Sequence, residues 1–219
     1  MWKLKFRNQL LIKSISKSSM EFKNNLLTNK RKVRKIILAQ RRACSSSEIT
    51  LESNGICRLI TQMPMFCDGN NIMLYLAMSD EVNIDQLIDY CFINGKKVAV
   101  PDIVDDYGIM KPVILNNWQE LSIGAFGIRS VNLNEKTYMD TENIDVVIVP
   151  AVAYNNYGAR LGMGRGFYDR FLSKTAAVKI GVALSCQMIS EIPSEKHDVV
   201  VDYVVTTEGI VNCKTGKMC

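Results

Sequence analysis

The sequence predicts an α/β protein: a single domain in which helices flank a mostly parallel central sheet, in three layers α/β/α. Apolar strand-like runs alternate with helix-like segments over 71–103, and a strand–helix–strand order favours a parallel pair. With 219 residues, 47% of them hydrophobic, the chain can bury one substantial core. The expected division is a basic extension over 1–21, the α/β domain over 22–210 and a polar tail over 211–219.

Two helices are predicted before the first strand. Residues 22–42 lack Gly and Pro, and apolar-face positions recur at helical spacing at Leu26, Val33, Ile37 and Gln40. The sequence SSSE at 45–48 is a capping-box pattern, in which Ser45 reaches forward and Glu48 reaches back. It predicts a second helix whose inward residues are Ile49, Ile56, Leu59 and Ile60.

Strands and helices alternate in the rest of the chain. The predicted elements are a strand at 71–78, a helix at 85–93, strands at 96–103, 107–115 and 145–153, a helix at 167–174, a strand at 179–185, a short helix at 186–192 and a strand at 201–207. Pro112 weakens the fourth of these elements because it cannot donate to a ladder. Residues 126–128 are expected in a loop, and 208–219 in a polar tail.

Charge is unevenly distributed. Residues 1–42 carry thirteen Lys or Arg and a single acid, Glu21, whereas the remaining residues carry fourteen basic and twenty-one acidic side chains. The body is therefore acidic, and no nucleic-acid partner is expected for it. Its longest apolar run, 146–154, contains Pro150 and is far shorter than the ~18 residues that a membrane span requires, so no membrane partner is expected either.

Localisation depends on the cysteines and on the first twenty residues. The seven cysteines have no CxxC spacing, which indicates reduced thiols in an intracellular protein. Residues 1–20 lack acids and mix Lys and Arg with Ser, a composition shared by mitochondrial presequences and by plain basic tails. A cytoplasmic monomer that binds small-molecule substrates is expected, with mitochondrial import as the alternative.

A glycine-rich segment carries most of the functional signal. Residues 157–171 read YGARLGMGRGFYDRF, directly after the strongest strand pattern. Glycine lets backbone N–H groups approach an anion, and a helix start adds partial positive charge. Arg160 and Arg165 can each donate two parallel hydrogen bonds to phosphate oxygens. Asp169 provides a carboxylate, which Mg²⁺ commonly binds together with phosphate oxygens. The segment predicts a polyphosphate site, although its GxGxG spacing matches neither GxxxxGK[ST] nor GxGxxG.

The same segment resembles a family signature. RLGMGRGFYDRFL after VIVPAVAYNNYG is similar to the motif of the 5-formyltetrahydrofolate cyclo-ligase (5,10-methenyltetrahydrofolate synthetase) family. Other segments agree in order, namely KRKVRKIILAQRRACSSSEI, IMLYLAMSDEVN, NGKKVAVP, GAFGI and EIPSEKHDVVVDYVVTTEG, so the similarity covers about residues 24–210.

The resemblance implies an ATP-dependent ligase. ATP phosphorylates the formyl oxygen of 5-formyltetrahydrofolate, N10 attacks the activated carbon, and 5,10-methenyltetrahydrofolate forms with release of ADP and phosphate. This chemistry requires phosphate positioning and charge neutralisation rather than a protein nucleophile.

The resemblance also implies roles for individual residues. Lys30 and Arg34, which share a helix face, correspond to cations that hold the phosphates of ATP, the co-substrate. Asp169 and Asp198 correspond to ligands of the cofactor Mg²⁺. Catalytic roles fall to Arg160, Arg165 and Tyr168. The implied ATP loop is Arg160, Leu161, Gly162, Met163, Gly164, Arg165, Gly166, Phe167 and Tyr168, and the implied folate contacts are Leu76, Glu81, Phe126, Met163, Gly164, Arg165, Gly166 and Phe167.

Simpler explanations compete at several positions. Taken alone, Lys30 and Arg34 would be a solvated basic face, and Glu81 would be an exposed turn acid. Phe126 is equally suited to stack on a substrate ring or to anchor its loop. Three positions depart from the family pattern, where Gly, Phe and Asp are usual: Ala151, Tyr154 and Asn155.

Two other functions fit parts of the sequence. The basic segment 1–42 could bind nucleotide or RNA in a non-catalytic module, but it contains few aromatics and no RNA-binding signature. A sugar-phosphate enzyme on a similar sheet would also use glycine loops and arginines. ATP dependence separates it from the cyclo-ligase, because an isomerase needs no ATP.

Overall fold

The computed structural model describes residues 30–104, 109–123, 129–132, 134–195 and 197–219. The helices in this part of the chain are α1 Lys30–Ala43, α2 Ser46–Ile60, α3 Pro64–Asp68, α4 Asp85–Ile93 and α5 Phe167–Leu172. The strands are β1 Asn71–Met73, β2 Lys97–Ile103, β3 Met110–Leu115, β4 Leu121–Ile123, β5 Arg129–Val131, β6 Val146–Val149, β7 Ala153–Tyr154, β8 Arg160–Leu161, β9 Val178–Val182, β10 Tyr203–Thr206, β11 Gly209–Asn212 and β12 Lys217–Met218. Within the described residues, 3₁₀ turns lie at Trp118–Glu120, Thr141–Asn143 and Ser185–Gln187.

Eight strands form one sheet in the order β12-β11-β10-β9-β6-β1-β2-β3. The five strands from β10 to β2 are mutually parallel, while β3, β11 and β12 join antiparallel at the two sides. Numbered by sequence among themselves, the parallel strands run 2-1-3-4-5, which is the doubly wound order with a switch point between β1 and β6. The predicted α/β class with a mostly parallel sheet is confirmed.

Side chains alternate between two buried faces of this sheet. In β6, Val146 and Ile148 join the apolar cluster under α2, α3 and α4, whereas Val147 and Val149 join the cluster that contains Phe171 of α5. Because both faces are covered, the parallel strands carry continuous apolar runs rather than an alternating pattern. Pro112 is tolerated because β3 is the edge strand of the sheet.

The predicted start of α2 is confirmed, and the predicted face of α1 needs one correction. Ser45 Oγ accepts from the Glu48 N–H at 3.2 Å, and Glu48 accepts from the Ser45 N–H at 2.7 Å, which completes the capping box. Val33 and Ile37 are buried in α1, but the prediction for Gln40 is wrong. Gln40 is exposed, and Arg41 continues the buried stripe four residues after Ile37. Leu26 lies outside the described residues.

Several predicted elements are shorter than expected, among them the strand predicted at 145–153, which spans only Val146–Val149. The run 71–78 forms a strand only over Asn71–Met73. Leu74 and Tyr75 stay buried beyond it, and the Leu74 N–H still donates to the Ala99 carbonyl of β2 at 2.9 Å. The run 186–192 forms a 3₁₀ turn at Ser185–Gln187 instead of a short helix. There the Gln187 amide turns inward and donates to the carbonyls of Ala151 and Val152 at 2.7 and 3.2 Å, which ties this segment to the end of β6.

The C-terminal segment differs most from its prediction. Instead of a polar tail, residues 209–212 and 217–218 form two antiparallel strands that extend the sheet beyond β10. Val211 and Cys213 are buried against the α5 face. Gly216, with φ of +68°, occupies the left-handed region in the turn between the two strands, which glycine adopts readily. Over the described residues, every helix is too short or too polar to cross a bilayer.

Candidate active site

A cavity of about 370 Å³, called the site cavity below, opens beside the switch point between β1 and β6. It is lined by Pro150 and Ala151, which follow β6, and by Pro101 and Ile103 near the end of β2. Open sheets of this topology bind ligands here because the connections diverge beyond the carboxyl ends of the strands. The volume lies in the range of small-molecule sites.

Most residues predicted from the sequence line this cavity. They are Lys30, Arg34, Glu81, every residue from 160 to 169, and Asp198. Leu76 is not among the described lining residues and instead packs against the cluster under α2 to α4. Phe126 lies outside the described residues. His197 also contributes to the lining, and its side chain is 72% exposed.

The glycine loop owes its shape to backbone conformations that other residues avoid. Strands β7 and β8 form a hairpin that returns the chain to the cavity, and the loop 162–166 then leads into α5. Gly164 and Gly166 have φ of +103° and +68°, in the left-handed region. Residues 162–165 are exposed, so their backbone groups can approach a ligand in the cavity.

Helix α1 places its two predicted cations on the opposite wall. Arg34 Nε donates to the Gly162 carbonyl at 2.7 Å, so the guanidinium lies against the loop. Lys30 Nζ lies 2.6 Å from Asp198 and 2.9 Å from Glu195. Burial lowers the pKa of Lys30, but the hydrogen bonds and charges of these two acids outweigh it, and the net pKa is raised. Lys30 is therefore a cation at neutral pH.

Asp169 is paired with Arg160, which the sequence assigned to phosphates. Both terminal nitrogens of Arg160 donate to Asp169 Oδ1, at 2.9 and 2.8 Å, and Nη1 also donates to the Val199 carbonyl at 2.8 Å. The Arg160 side chain is only 4% exposed. Its guanidinium thus holds α5 to the segment before β10 while lining the cavity, an arrangement that the sequence does not predict.

The two predicted metal ligands each keep one oxygen outside these pairings. Among the described residues, hydrogen bonds reach Asp169 only at Oδ1, and Asp198 accepts from Lys30 and from the Glu195 N–H at Oδ2. Burial raises the pKa of Asp198, yet Lys30 and the Glu195 N–H outweigh it and the net pKa is lowered. Ligand atoms of Glu195, His197 and Asp198 lie within 4.8 Å of one another. Oxygen donors of this kind fit Mg²⁺.

Glu81 lies on the cavity wall beside an arginine that the sequence did not single out. Arg41 is buried, and its guanidinium contacts Asp80 at 3.0 Å and Glu81 at 3.4 Å. Burial raises the pKa of Glu81, against the lowering effects of the Met78 N–H and of Arg41. The available signal was a basic residue on the buried stripe of α1, four residues after Ile37.

The rest of the lining is apolar or aromatic. Met110 and Phe167 contribute apolar surface together with Pro101 and Ile103. Burial raises the pKa of Tyr168 far above its ordinary value, so its phenol is a neutral donor at every physiological pH. The cavity therefore combines a charged end, made by the loop and α1, with walls that suit a flat aromatic ligand.

Two departures from the family pattern have structural roles. The fully buried Tyr154 donates its hydroxyl proton to the Val149 carbonyl at 2.7 Å, and its ring packs against Gly181. Asn155 Oδ1 accepts from the N–H groups of Tyr157 and Ala159, both at 3.0 Å, which fixes the hairpin turn.

Known proteins share the sequence and the fold. A sequence model of the 5-formyltetrahydrofolate cyclo-ligase family matches residues 27–207. The 5-formyltetrahydrofolate cyclo-ligase of Escherichia coli is 29% identical over 177 residues, covering 78% of this chain and 96% of the relative. A mitochondrial 5-formyltetrahydrofolate cyclo-ligase of Arabidopsis thaliana is 23% identical, covering 90% of this chain and 81% of the relative. The NMR structure of Aquifex aeolicus 5,10-methenyltetrahydrofolate synthetase matches with a TM-score of 0.75 at 28% identity, covering 87% of this chain and 95% of that one.

Proposed function

Because this chain belongs to the 5-formyltetrahydrofolate cyclo-ligase family, we propose that it converts 5-formyltetrahydrofolate to 5,10-methenyltetrahydrofolate in the site cavity, with ATP as co-substrate and Mg²⁺ as cofactor. One observation carries the proposal: a single cavity gathers the glycine loop, the α1 cations, Asp169, Asp198 and the partly buried Glu81 carboxylate from distant parts of the chain.

ATP phosphates are assigned to the charged end. The exposed residues 162–165 can offer backbone N–H groups and include Arg165, and Lys30 and Arg34 line the same cavity from α1. Their charge and forked geometry suit a triphosphate. Arg160 acts here mainly by holding Asp169, and it contributes its charge to the field in the cavity.

Asp169 and Asp198 are assigned to the metal through the one oxygen of each that accepts no hydrogen bond from the described residues. His197 Nε2 lies 3.7 Å from that oxygen of Asp198. Bound Mg²⁺ supplies positive charge that neutralises the phosphoryl group during transfer. The protein contributes by fixing both carboxylates in advance, Asp169 through Arg160 and Asp198 through Lys30.

The folate is assigned to the apolar walls and to Glu81. A pterin edge presents amino and N–H donors, which a carboxylate can accept. Phe167 and Met163 border both proposed ligands because they lie between the loop and α5. On this assignment the formyl oxygen would face the phosphates of ATP, where transfer of the terminal phosphoryl group would activate the carbon for attack by N10.

The chain's own groups position and neutralise rather than react covalently. Phosphoryl transfer needs aligned reactants and fixed positive charge, which Lys30, Arg34 and Arg165 supply. The Tyr168 hydroxyl stays protonated and can donate to an oxygen that gains negative charge. Ring closure then releases phosphate, with ADP as the second product.

A turnover assay tests the proposal directly. The full chain is incubated with 5-formyltetrahydrofolate and Mg²⁺, with and without ATP, and the near-ultraviolet absorption of the methenyl product is followed. Product formation that requires ATP and releases one phosphate per folate is expected. Turnover without ATP, or none with it, contradicts the proposal and favours a sugar-phosphate or purely binding role.

We also propose a cytoplasmic monomer. Mitochondrial import is the second candidate, favoured by the basic composition of residues 1–20 and by the mitochondrial relative in Arabidopsis. A fluorescent fusion with and without residues 1–20 decides between them. Size-exclusion chromatography with light scattering measures the oligomeric state, and a dimer mass contradicts the monomer.

A further inference from the structure

Arg41 is a charged side chain placed where an apolar one is expected. It follows Val33 and Ile37 on the buried stripe of α1 and is only 2% exposed. Burying a guanidinium is costly unless it is paired and hydrogen-bonded. Its position on the wall of the site cavity therefore suggests a use beyond packing.

Its partners are two consecutive acids. Nε donates to Asp80 Oδ2 at 3.0 Å and Nη2 lies 3.0 Å from the same oxygen, so Asp80 anchors the guanidinium. Nη1 points at Glu81 Oε1, 3.4 Å away. The other oxygen, Glu81 Oε2, accepts from the Met78 N–H at 3.1 Å.

Among the described residues, Arg41 is the one cation that acts on the pKa of Glu81. Asp80 beside it is an acid, and the nearby aromatic groups Tyr75, Tyr154 and Tyr168 are phenols whose pKa values are raised by burial and, to a lesser extent, by Glu81 itself. Burial raises the pKa of Glu81, while the Met78 N–H and Arg41 oppose that rise. A second chamber of about 10 Å³, lined by Arg41 and Glu81, has room for roughly one water.

We propose that Arg41 is a positioning residue that keeps the Glu81 carboxylate ionised and aimed into the site cavity, so that it accepts hydrogen bonds from the pterin edge of the substrate. The inference rests on the proposed function and deepens it. Asp80 holds the Arg41 guanidinium in place, so that Nη1 remains directed at Glu81.

Steady-state kinetics of the full chain test this role in Arg41→Met, Arg41→Lys and the control Arg42→Met, which alters the exposed neighbour on the same helix. Arg41→Met is expected to raise the KM for 5-formyltetrahydrofolate about tenfold or more, since a hydrogen bond to a charged group contributes roughly 1.5–3 kcal/mol. The KM for ATP should stay within about twofold, and Arg41→Lys should recover part of the loss because it keeps the charge.

The pH profile separates positioning from simple packing. Without Arg41 the Glu81 pKa rises further, so the acidic limb of kcat/KM for folate moves to higher pH. Glu81→Gln should remove this acidic limb. In the double variant, Arg41→Met should change the KM for folate little beyond the effect of Glu81→Gln alone. Full additivity of the two changes, or an unmoved limb, overturns the inference.

The outcomes distinguish this inference from the proposed function. If the wild-type chain turns over folate but Arg41→Met leaves its folate KM and pH limb unchanged, only the Arg41 role fails. If the wild-type chain shows no turnover, the proposed function itself fails. Loss of the thermal transition would show that Arg41→Met does not fold. In that case Arg41→Lys and Asp80→Asn replace it in the test. An unchanged folate KM and an unchanged acidic pH limb in both variants overturn the proposal.

Discussion

At the residue scale, Asp169 illustrates how one carboxylate can serve structure and chemistry together. Its Oδ1 accepts from both terminal nitrogens of Arg160 and from the Val199 N–H, which ties α5 to the segment leading into β10. Oδ2 accepts no hydrogen bond from the described residues, so it is the oxygen that we assign to the proposed metal. Pairing with Arg160 therefore orients the acid without consuming its capacity to bind a cation.

Asp169→Asn separates these two uses. Asparagine keeps an oxygen acceptor for Arg160 and Val199 but removes the negative charge. We expect kcat/KM to fall by roughly 100-fold or more, because metal stabilisation of the transferred group is worth several kcal/mol and each 1.36 kcal/mol is tenfold. Initial rates at several Mg²⁺ concentrations measure this, and partial recovery at high Mg²⁺ is expected.

The thermal midpoint of the same variant is the control. It should fall by several degrees at most, because the hydrogen bonds to Asp169 are retained. An unchanged rate in a folded variant removes Asp169 from the mechanism.

At the element scale, sequence patterns identified elements well where local forces dominate. The capping box of α2 and the bounds of α4 at Asp85–Ile93 depend on neighbouring residues, and both were predicted. The run 71–78 was predicted as one strand because apolar composition reports burial, whereas pairing ends at Met73. Strands β11 and β12 were missed because their pairing depends on β10, so it is not visible in the composition of 208–219.

The hairpin that delivers the glycine loop depends on Gly158. This residue has φ of +78°, and an added Cβ would lie 2.3 Å from the Val201 carbonyl oxygen and 3.0 Å from Cys213 Cβ. A strained backbone alone costs roughly 1–3 kcal/mol. Because the added Cβ also clashes, Gly158→Ala is expected to lower the free energy of unfolding by more than that. Denaturant unfolding at equilibrium measures the loss.

Gly95→Ala is the matched control for that experiment. Gly95 has nearly the same φ, +67°, but no atom lies within 4 Å of its added Cβ. Gly95→Ala should therefore lower the free energy of unfolding only by the strain of a left-handed alanine, about 1–2 kcal/mol. Equal losses in the two variants would show that strain, and not contact with Val201, determines the cost at Gly158.

At the scale of the whole molecule, the site is assembled from segments that no local pattern connects. Helix α1, the acids at 80–81, the loop 160–169 and the segment 195–198 meet only because the sheet order reverses between β1 and β6. Spacing along the chain could place Lys30 and Arg34 on one helix face. The glycine-rich segment indicated Arg160, Arg165 and Asp169 by their chemistry, and the family resemblance supplied positions such as Glu81 and Asp198. The pairings Arg160–Asp169 and Arg41–Glu81 depend on tertiary packing and could not be predicted.

The cysteines report whether this packing holds across both faces of the sheet. Cys57 and Cys91 belong to the cluster under α2 to α4, and Cys213 belongs to the α5 face. Burial raises the pKa of each of these thiols to about 12. Since the thiolate is the reactive form, all three should resist alkylation at pH 8, whereas the exposed Cys219 reacts readily.

Peptide mass spectrometry after iodoacetamide treatment, in native and urea-unfolded protein, measures the labelling at each position. Gly158→Ala adds a directed test, because its new Cβ would press on Cys213 and not on the opposite face. Cys213 should then become labelled before Cys57 and Cys91, since local opening around the hairpin needs less free energy than global unfolding. Simultaneous labelling of all three would mean that the hairpin and the α2–α4 face unfold as one unit.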